Sequence, residues 1–166
     1  TYMLALGMGV NEKKAVRVKS ASPLHDLGKI AIPDSVLNKK GKLTPDEWEI
    51  MKTHADVGFN MLSKSNHETL QYAAIIAHEH HERWDGKGYP RQLAGKQIHL
   101  FGRITAVADV FDALNSVRCY KPAWPIDKIE AYFKEESGKQ FDPRIVDVLF
   151  DNIDKVKAIC ARLSDG

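Results

Sequence analysis

The stretch TPDEWEIMKTHADVGFNML, residues 44–62, carries the strongest local structural signal in the chain. Thr44 can cap a helix. Pro45 suits the first helical position, where its missing N–H would have no partner anyway, and Glu47 completes a capping box. Trp48, Met51, Ala55, Gly58 and Leu62 follow at helical spacing, which predicts one helix with one buried stripe.

The same periodicity extends in both directions. Upstream, residues 2–9 read as the end of a helix, and residues 12–27 predict a second that closes at Gly28 after His25 and Asp26. A stretch containing Pro33 then leads to a polar turn, Asn38-Lys39-Lys40-Gly41. Downstream, residues 67–82 predict a helix ending in a loop rich in Gly, Asp and Pro, from Trp84 to Pro90. Residues 100–116 return to helical period, with Ile104, Val107, Phe111 and Leu114 on the core side. Pro125 begins a further helix, and Asp142-Pro143 repeats the cap-then-proline signal for a final one. Strand-like alternation of any length is absent, as is an internal repeat. The fold class predicted is all-α.

At 166 residues, 43% hydrophobic and 28% charged, the chain fits one globular domain with a real core. No apolar run approaches the roughly 20 residues that span a bilayer. The run from Tyr2 to Val10 is too short, and it lacks the basic start of a secretory signal. The net charge of +2, from 24 basic and 22 acidic residues, argues against a surface for duplex nucleic acid. An anionic ligand would be small and held by a local cluster of charge. Cys119 and Cys160 form neither a CxxC pair nor a disulfide framework, which suits a reducing cytoplasm.

Chemistry concentrates in a few places. His25-Asp26 ends an apolar segment between Leu24 and Leu27. His80 and His81 are adjacent at the end of a helix. On a continuing helix their directions would differ by about 100°, so both converge only on a large site such as a pair of metals. Asp109 lies within an apolar helix, where a carboxylate is costly to bury without a cation or donor. Singly, each has a plain alternative. His54 can be a hydrogen-bonded core histidine, His25-Asp26 a brace for a helix end, and His80-His81 a solvated helix terminus. Asp112 is expected to pair with a nearby base. His67, His78 and His99 read as surface residues or as supports for other groups. Trp124, Tyr132 and Phe133 read as core, with a neighbouring domain as the alternative.

The run His80-His81-Glu82-Arg83-Trp84-Asp85-Gly86-Lys87-Gly88-Tyr89-Pro90 resembles the HHExWDGxGYP signature of the HD-GYP family. Leu24-His25-Asp26-Leu27-Gly28-Lys29-Ile30 is similar to that family's HDxGKI. Met51-Lys52-Thr53-His54, the segment from Ala108 to Leu114, Arg118-Cys119-Tyr120-Lys121 and Gly138 to Pro143 follow in the family's order. The resemblance covers nearly the whole chain. It implies a helical HD-superfamily bundle around two divalent metal ions, or three, of iron or manganese, with nickel or zinc as alternatives. The ligands would be His25, Asp26, His54, His80, His81 and Asp109, with Asp26 bridging two metals. Lys29, Arg118 and Lys121 would hold substrate phosphates, Lys29 also taking part in catalysis, while Gly88, Tyr89 and Pro90 would shape the pocket beside the nucleotide.

The resemblance also implies a function in bacterial second-messenger signalling, the hydrolysis of cyclic di-GMP to linear pGpG and onward to GMP. Cleavage of 3',3'-cGAMP is the close alternative. A non-catalytic module that binds a dinucleotide or a partner protein is a second, and a metal-dependent nucleotide phosphohydrolase a third. Many family members carry a further Glu and His on a helix ahead of the HD motif. That segment would precede Thr1, so residues 1–166 are expected to be a phosphodiesterase domain short of its first helices and of an upstream sensory or receiver domain. His99 stands where the family commonly has proline.

Overall fold

These local signals become ten α-helices among the described residues of the computed structural model, which covers residues 1–116 and 123–164, with side chains through Cys160. Helix α1 (Tyr2–Gly7) is followed by α2 (Glu12–Ala21), capped by the Asn11 side chain, which accepts the Lys14 N–H. The helix predicted over 12–27 stops at Ala21. Pro23 has no N–H to continue the ladder, and the chain tightens into a 3-10 turn over Ser22–Leu24. A second 3-10 turn spans Leu27–Ala31 and is followed by the short α3 (Asp34–Leu37).

The 44–62 stretch forms two helices rather than one, α4 (Pro45–Lys52) and α5 (His54–Leu62). The capping box is in place. The Thr44 hydroxyl accepts the Glu47 N–H at 3.3 Å, and the Glu47 carboxylate accepts the Thr44 N–H at 2.7 Å. At the junction the Thr53 hydroxyl donates to the Ile50 carbonyl at 2.7 Å. The break divides the expected stripe. Ala55, Gly58 and Leu62 are buried, whereas α4 buries no residue and Trp48 stays 46% exposed.

Helices α6 (Glu68–Glu79), α7 (Leu100–Asn115), α8 (Ile126–Glu136), α9 (Pro143–Asp151) and α10 (Ile153–Ser164) complete the described chain. The Asp142 cap accepts the Arg144 N–H ahead of α9, as its Asp-Pro signal predicts. Helix α10 follows without a signal read from the sequence. Strands are absent among the described residues, where only two isolated bridges occur, Asp85 with Ala94 and Ser137 with Phe141.

The core has two parts. One gathers Leu4, Ile104, Val107, Phe133, Phe141 and Ile145 from α1, α7, α8, α9 and the turn before α9. The other gathers Val18, Leu62, Ala73, Ile76, Ala77 and Phe101 from α2, α5, α6 and α7. Helix α7 therefore serves both, with Ile104, Val107 and Phe111 buried as their period predicts. Phe133 is fully buried, and Trp124 and Tyr132 pack partly buried against its cluster. No helix among the described residues is long and apolar enough to cross a membrane.

One close approach fixes where the site can form. A Cβ on Gly28 would fall 1.9 Å from the His54 carbonyl oxygen and 2.6 Å from the Gly58 nitrogen. Only glycine lets the Leu27–Ala31 turn lie directly on α5. The contact carries Asp26 to the start of α5, where His54 stands.

Candidate metal centre

Asp26, His54, His80 and His81 each offer one ligand atom, and these four atoms all lie within 4.8 Å of one another. Asp26 is central. Its Oδ1 faces His54 Nε2 at 3.5 Å and His80 Nε2 at 3.7 Å, while its Oδ2 faces His25 Nε2 at 3.4 Å. His25 Nε2 in turn lies 3.7 Å from Asp109 Oδ1. The six residues singled out in the sequence are thus brought together around the two oxygens of one carboxylate.

The local chain settles which nitrogen His25, His54 and His80 present. His25 Nδ1 lies 2.8 Å from the Ser22 carbonyl, and His54 Nδ1 lies 2.7 Å from the Met51 carbonyl. His80 Nδ1 lies 3.0 Å from the Ala77 carbonyl and 3.1 Å from that of Ile76. A carbonyl only accepts, so each Nδ1 carries the proton, and a neutral ring then offers the Nε2 lone pair to the centre. His54 is therefore both things its sequence allowed, a core histidine bonded on one side and a donor on the other.

Asp26 Oδ1, His54 Nε2 and His80 Nε2 are buried and have no hydrogen-bond partner. Each such atom costs about 1–3 kcal/mol. Three together approach the 5–15 kcal/mol or so that is the whole stability of a typical domain. Electron pairs that face one another across 3.5–3.7 Å call for a cation between them. The donor set of imidazole and carboxylate fits a transition metal better than a cation that takes oxygen alone. The residues present fit the group.

The electrostatics agree with this reading. Burial alone would raise the Asp26 carboxyl, but His25, His80 and Lys29 outweigh it and hold it well below the usual carboxylate range. Burial lowers His54, and burial with the neighbouring His80 and His54 pushes His81 down to about 2, so both stay neutral at ordinary pH. Burial opposes protonation of His25 too, but Asp26, the Ser22 carbonyl and Asp109 outweigh it and raise it.

His80 and His81 converge because α6 ends at Glu79. His81 therefore leaves the helical wheel, and its ring lies 3.9 Å from that of His80. Lys29 Nζ bonds Asp26 Oδ2 at 2.6 Å. Tyr89 stacks on His81 at 4.7 Å with the planes 28° apart, and burial, reinforced by Asp26 and Asp109, raises its phenol well above the usual range. Gly88 is required by packing. A Cβ there would meet the Arg83 nitrogen at 2.4 Å and the His81 carbonyl at 2.6 Å. The Tyr89–Pro90 peptide is cis. Tyr89 and Pro90 line a cavity of about 510 Å³ that His80, His81 and Asp109 also face. Arg118 and Lys121, the remaining phosphate-binding candidates, and Cys119 lie outside the described residues.

Of the other expectations, Asp112 is exposed and receives the Ser116 hydroxyl at 3.5 Å rather than pairing with a base among the described residues. His78 stacks on Phe59 and lies 3.0 Å from Asp56. His99 has a role that composition could not reveal. Its Nδ1 accepts the Phe101 N–H at 3.1 Å, capping α7, and its own N–H donates to Glu79 at 2.5 Å. A proline could do neither. Trp48 belongs to the stripe expected to be buried, and Lys52 carries no signal of a role in the sequence. Both line the cavity.

Residues 1–145 match the family described as "HD domain". The chain is 49% identical over 98% of its length to a cyclic di-GMP phosphodiesterase response regulator of Xanthomonas campestris, covering 43% of that protein. It is 47% identical over 95% of its length to a 3'3'-cGAMP-specific phosphodiesterase of Vibrio cholerae, covering 30% of it. A cyclic di-GMP phosphodiesterase of Thermotoga maritima is 49% identical over 87% of the chain, which covers 39% of that protein. The chain thus spans less than half the length of these relatives. A crystal structure of a cyclic GMP-AMP-specific phosphodiesterase of V. cholerae superposes over 92% of this chain and 41% of the other, with a TM-score of 0.67 at 20% identity, and so shares its fold.

Proposed function

The chain belongs to the HD domain family, as an HD-GYP member, and from that premise we propose that it is a metal-dependent phosphodiesterase that hydrolyses cyclic di-GMP to linear pGpG and onward to GMP. The single observation that carries the reading is the set of buried, unpartnered ligand atoms of Asp26, His54 and His80 beside an open cavity. Phosphodiesters are anionic and resist hydroxide. Bound divalent metals would supply hydroxide near neutral pH and neutralise charge on the phosphoryl oxygens.

The residues of this chain have separable tasks. His25, Asp26, His54, His80, His81 and Asp109 would hold the ions, with Asp26 as the carboxylate shared between them. A third ion would need ligands beyond this set. Iron or manganese suits the donors, with nickel or zinc as the alternatives. Lys29 would turn from Asp26 to a phosphate oxygen as a point charge, with Arg118 and Lys121 as further phosphate contacts. Tyr89, Gly88 and Pro90 would wall the nucleotide side. A reducing cytoplasm and an upstream regulatory domain or partner complete the proposal, supported by the cysteine pattern and by the greater length of the relatives.

A second reading, hydrolysis of 3',3'-cGAMP, is favoured by the 47% identity to a relative specific for it. The deciding experiment is hydrolysis of both dinucleotides by the metal-analysed chain prepared without air, with Asp26→Ala as control. Linear product from the parent alone supports an enzyme, and the preferred dinucleotide chooses between the readings. No turnover of either at two metals per chain would leave a module that only binds.

A further inference from the structure

Helix α4 places the exposed Trp48 on the wall of the cavity, and packing gives no reason for it. The helix buries no side chain, so the Trp48 indole contributes little to either core cluster. The indole instead meets Tyr89 edge to face, with ring centroids 6.0 Å apart and planes at 81°. Tyr89 stacks on His81. Trp48 is therefore one ring removed from the candidate ligand cluster, and it lines the same cavity. The capping box and Pro45 fix the first turn of α4 and so hold the base of the indole. Lys52, one turn further on, lies 5.9 Å from the Tyr89 ring centroid and pairs with Glu49 at 2.9 Å, so charge borders this face.

We propose that Trp48 is a base-stacking residue, providing the outer wall against which a nucleobase of the substrate lies while its phosphodiester reaches the ligand cluster. A rigid aromatic face that is nearly half exposed on a cavity wall is the surface on which a base can stack without regard to its hydrogen-bonding edge. An edge-to-face contact with Tyr89 occupies at most one indole face, so another remains for the base. The inference rests on the dinucleotide reading above and adds a positioning residue to it.

The test compares the parent with Trp48→Leu and Trp48→Phe, using cyclic di-GMP and 3',3'-cGAMP on the metal-loaded chain. Loss of the aromatic face in Trp48→Leu raises KM about tenfold, with the loss falling on KM rather than kcat, and the flat ring of Trp48→Phe recovers most of it. Binding is also read without turnover. Dinucleotide added to the metal-free chain quenches tryptophan emission in the parent, and that component disappears in Trp48→Phe. A Trp48→Leu protein with parental KM and parental hydrolysis overturns the inference while leaving the enzyme reading intact. So does a loss shared equally by kcat, KM and metal content, which marks mere support of Tyr89. A parent that neither binds nor cleaves either dinucleotide overturns both.

Discussion

One carboxylate oxygen of Glu82 accepts the backbone N–H of Arg91 at 2.7 Å. Its other oxygen accepts the Leu93 N–H at 3.0 Å, so a single side chain ties the loop after Pro90 back to the end of the histidine pair. Glu82 is only 3% exposed, and burial raises its carboxyl. Replacement by Ala removes both acceptors from the Arg91 and Leu93 N–H groups and costs about 1–3 kcal/mol. Glu82→Gln keeps one of the two acceptor oxygens, turning an NH2 toward the other N–H, and loses less than Ala. Urea unfolding of the two variants gives the order, and an alanine variant as stable as the parent would show that the carboxylate is not the tether.

Gly28 tolerates no side chain at its contact with α5. Gly28→Ala is expected to cost about 3 kcal/mol, since the added carbon meets backbone rather than a flexible side chain tip. The turn must then move and carry Asp26 off His54. Metal per chain falls together with the melting temperature. A destabilised variant that kept full metal content would separate the packing from the site.

Removing metal leaves the buried donors without a cation. At a free metal concentration of 100 times Kd the bound ion adds about 2.7 kcal/mol, which corresponds to a melting shift of roughly 5–10 °C for a chain of this size. Chelation should lower the melting temperature by that amount, and re-addition of manganese or iron should restore it. His54→Ala abolishes most of the shift. An unchanged melting curve after verified metal removal counts against the site.

Asp142 supplies a pH dependence remote from the candidate centre. Its buried carboxylate pairs with Arg103 at 2.5 Å and Arg144 at 3.0 Å. Burial pushes its carboxyl up, but Arg144 and Arg103 outweigh burial and lower it. The folded state therefore holds the proton more weakly than the unfolded state, whose value is about 3.9. The contribution is full above about pH 5 and is lost as pH falls through the folded value. Asp142→Asn should cost about 3 kcal/mol at pH 7. Below about pH 4 the gap to the parent narrows. Denaturant midpoints at pH 7 and pH 3 measure it, and a constant gap refutes the assignment.

What the sequence disclosed depended on how local the cause was. The Thr44–Glu47 box and the Asp142 cap were legible because each is closed within four residues. Pro23 carried a signal that the helix read over 12–27 overlooked. The break at Thr53 carried none, since neither Gly nor Pro marks it, and the exposure of Trp48 followed from that break. His25, Asp26, His54, His80, His81 and Asp109 were legible as a set of motifs. The convergence of His81 was not, because it depends on where α6 ends. The double hydrogen bond of His99 needed Glu79 and Phe101 to be placed first.

The Nδ1 contacts of the candidate ligands His25, His54 and His80 reach carbonyls only three or four residues back along the chain. The polarity of each donor is thus decided by its own short segment, before distant helices meet. Long-range packing is left to set only the spacing between donors. Repacking of α2 or α7 would accordingly change the spacing of these candidate ligands while His25, His54 and His80 continue to offer the same nitrogen. On the metal-site reading, selectivity among metals and the competence to hold one would be governed by different parts of the sequence, and could drift apart independently.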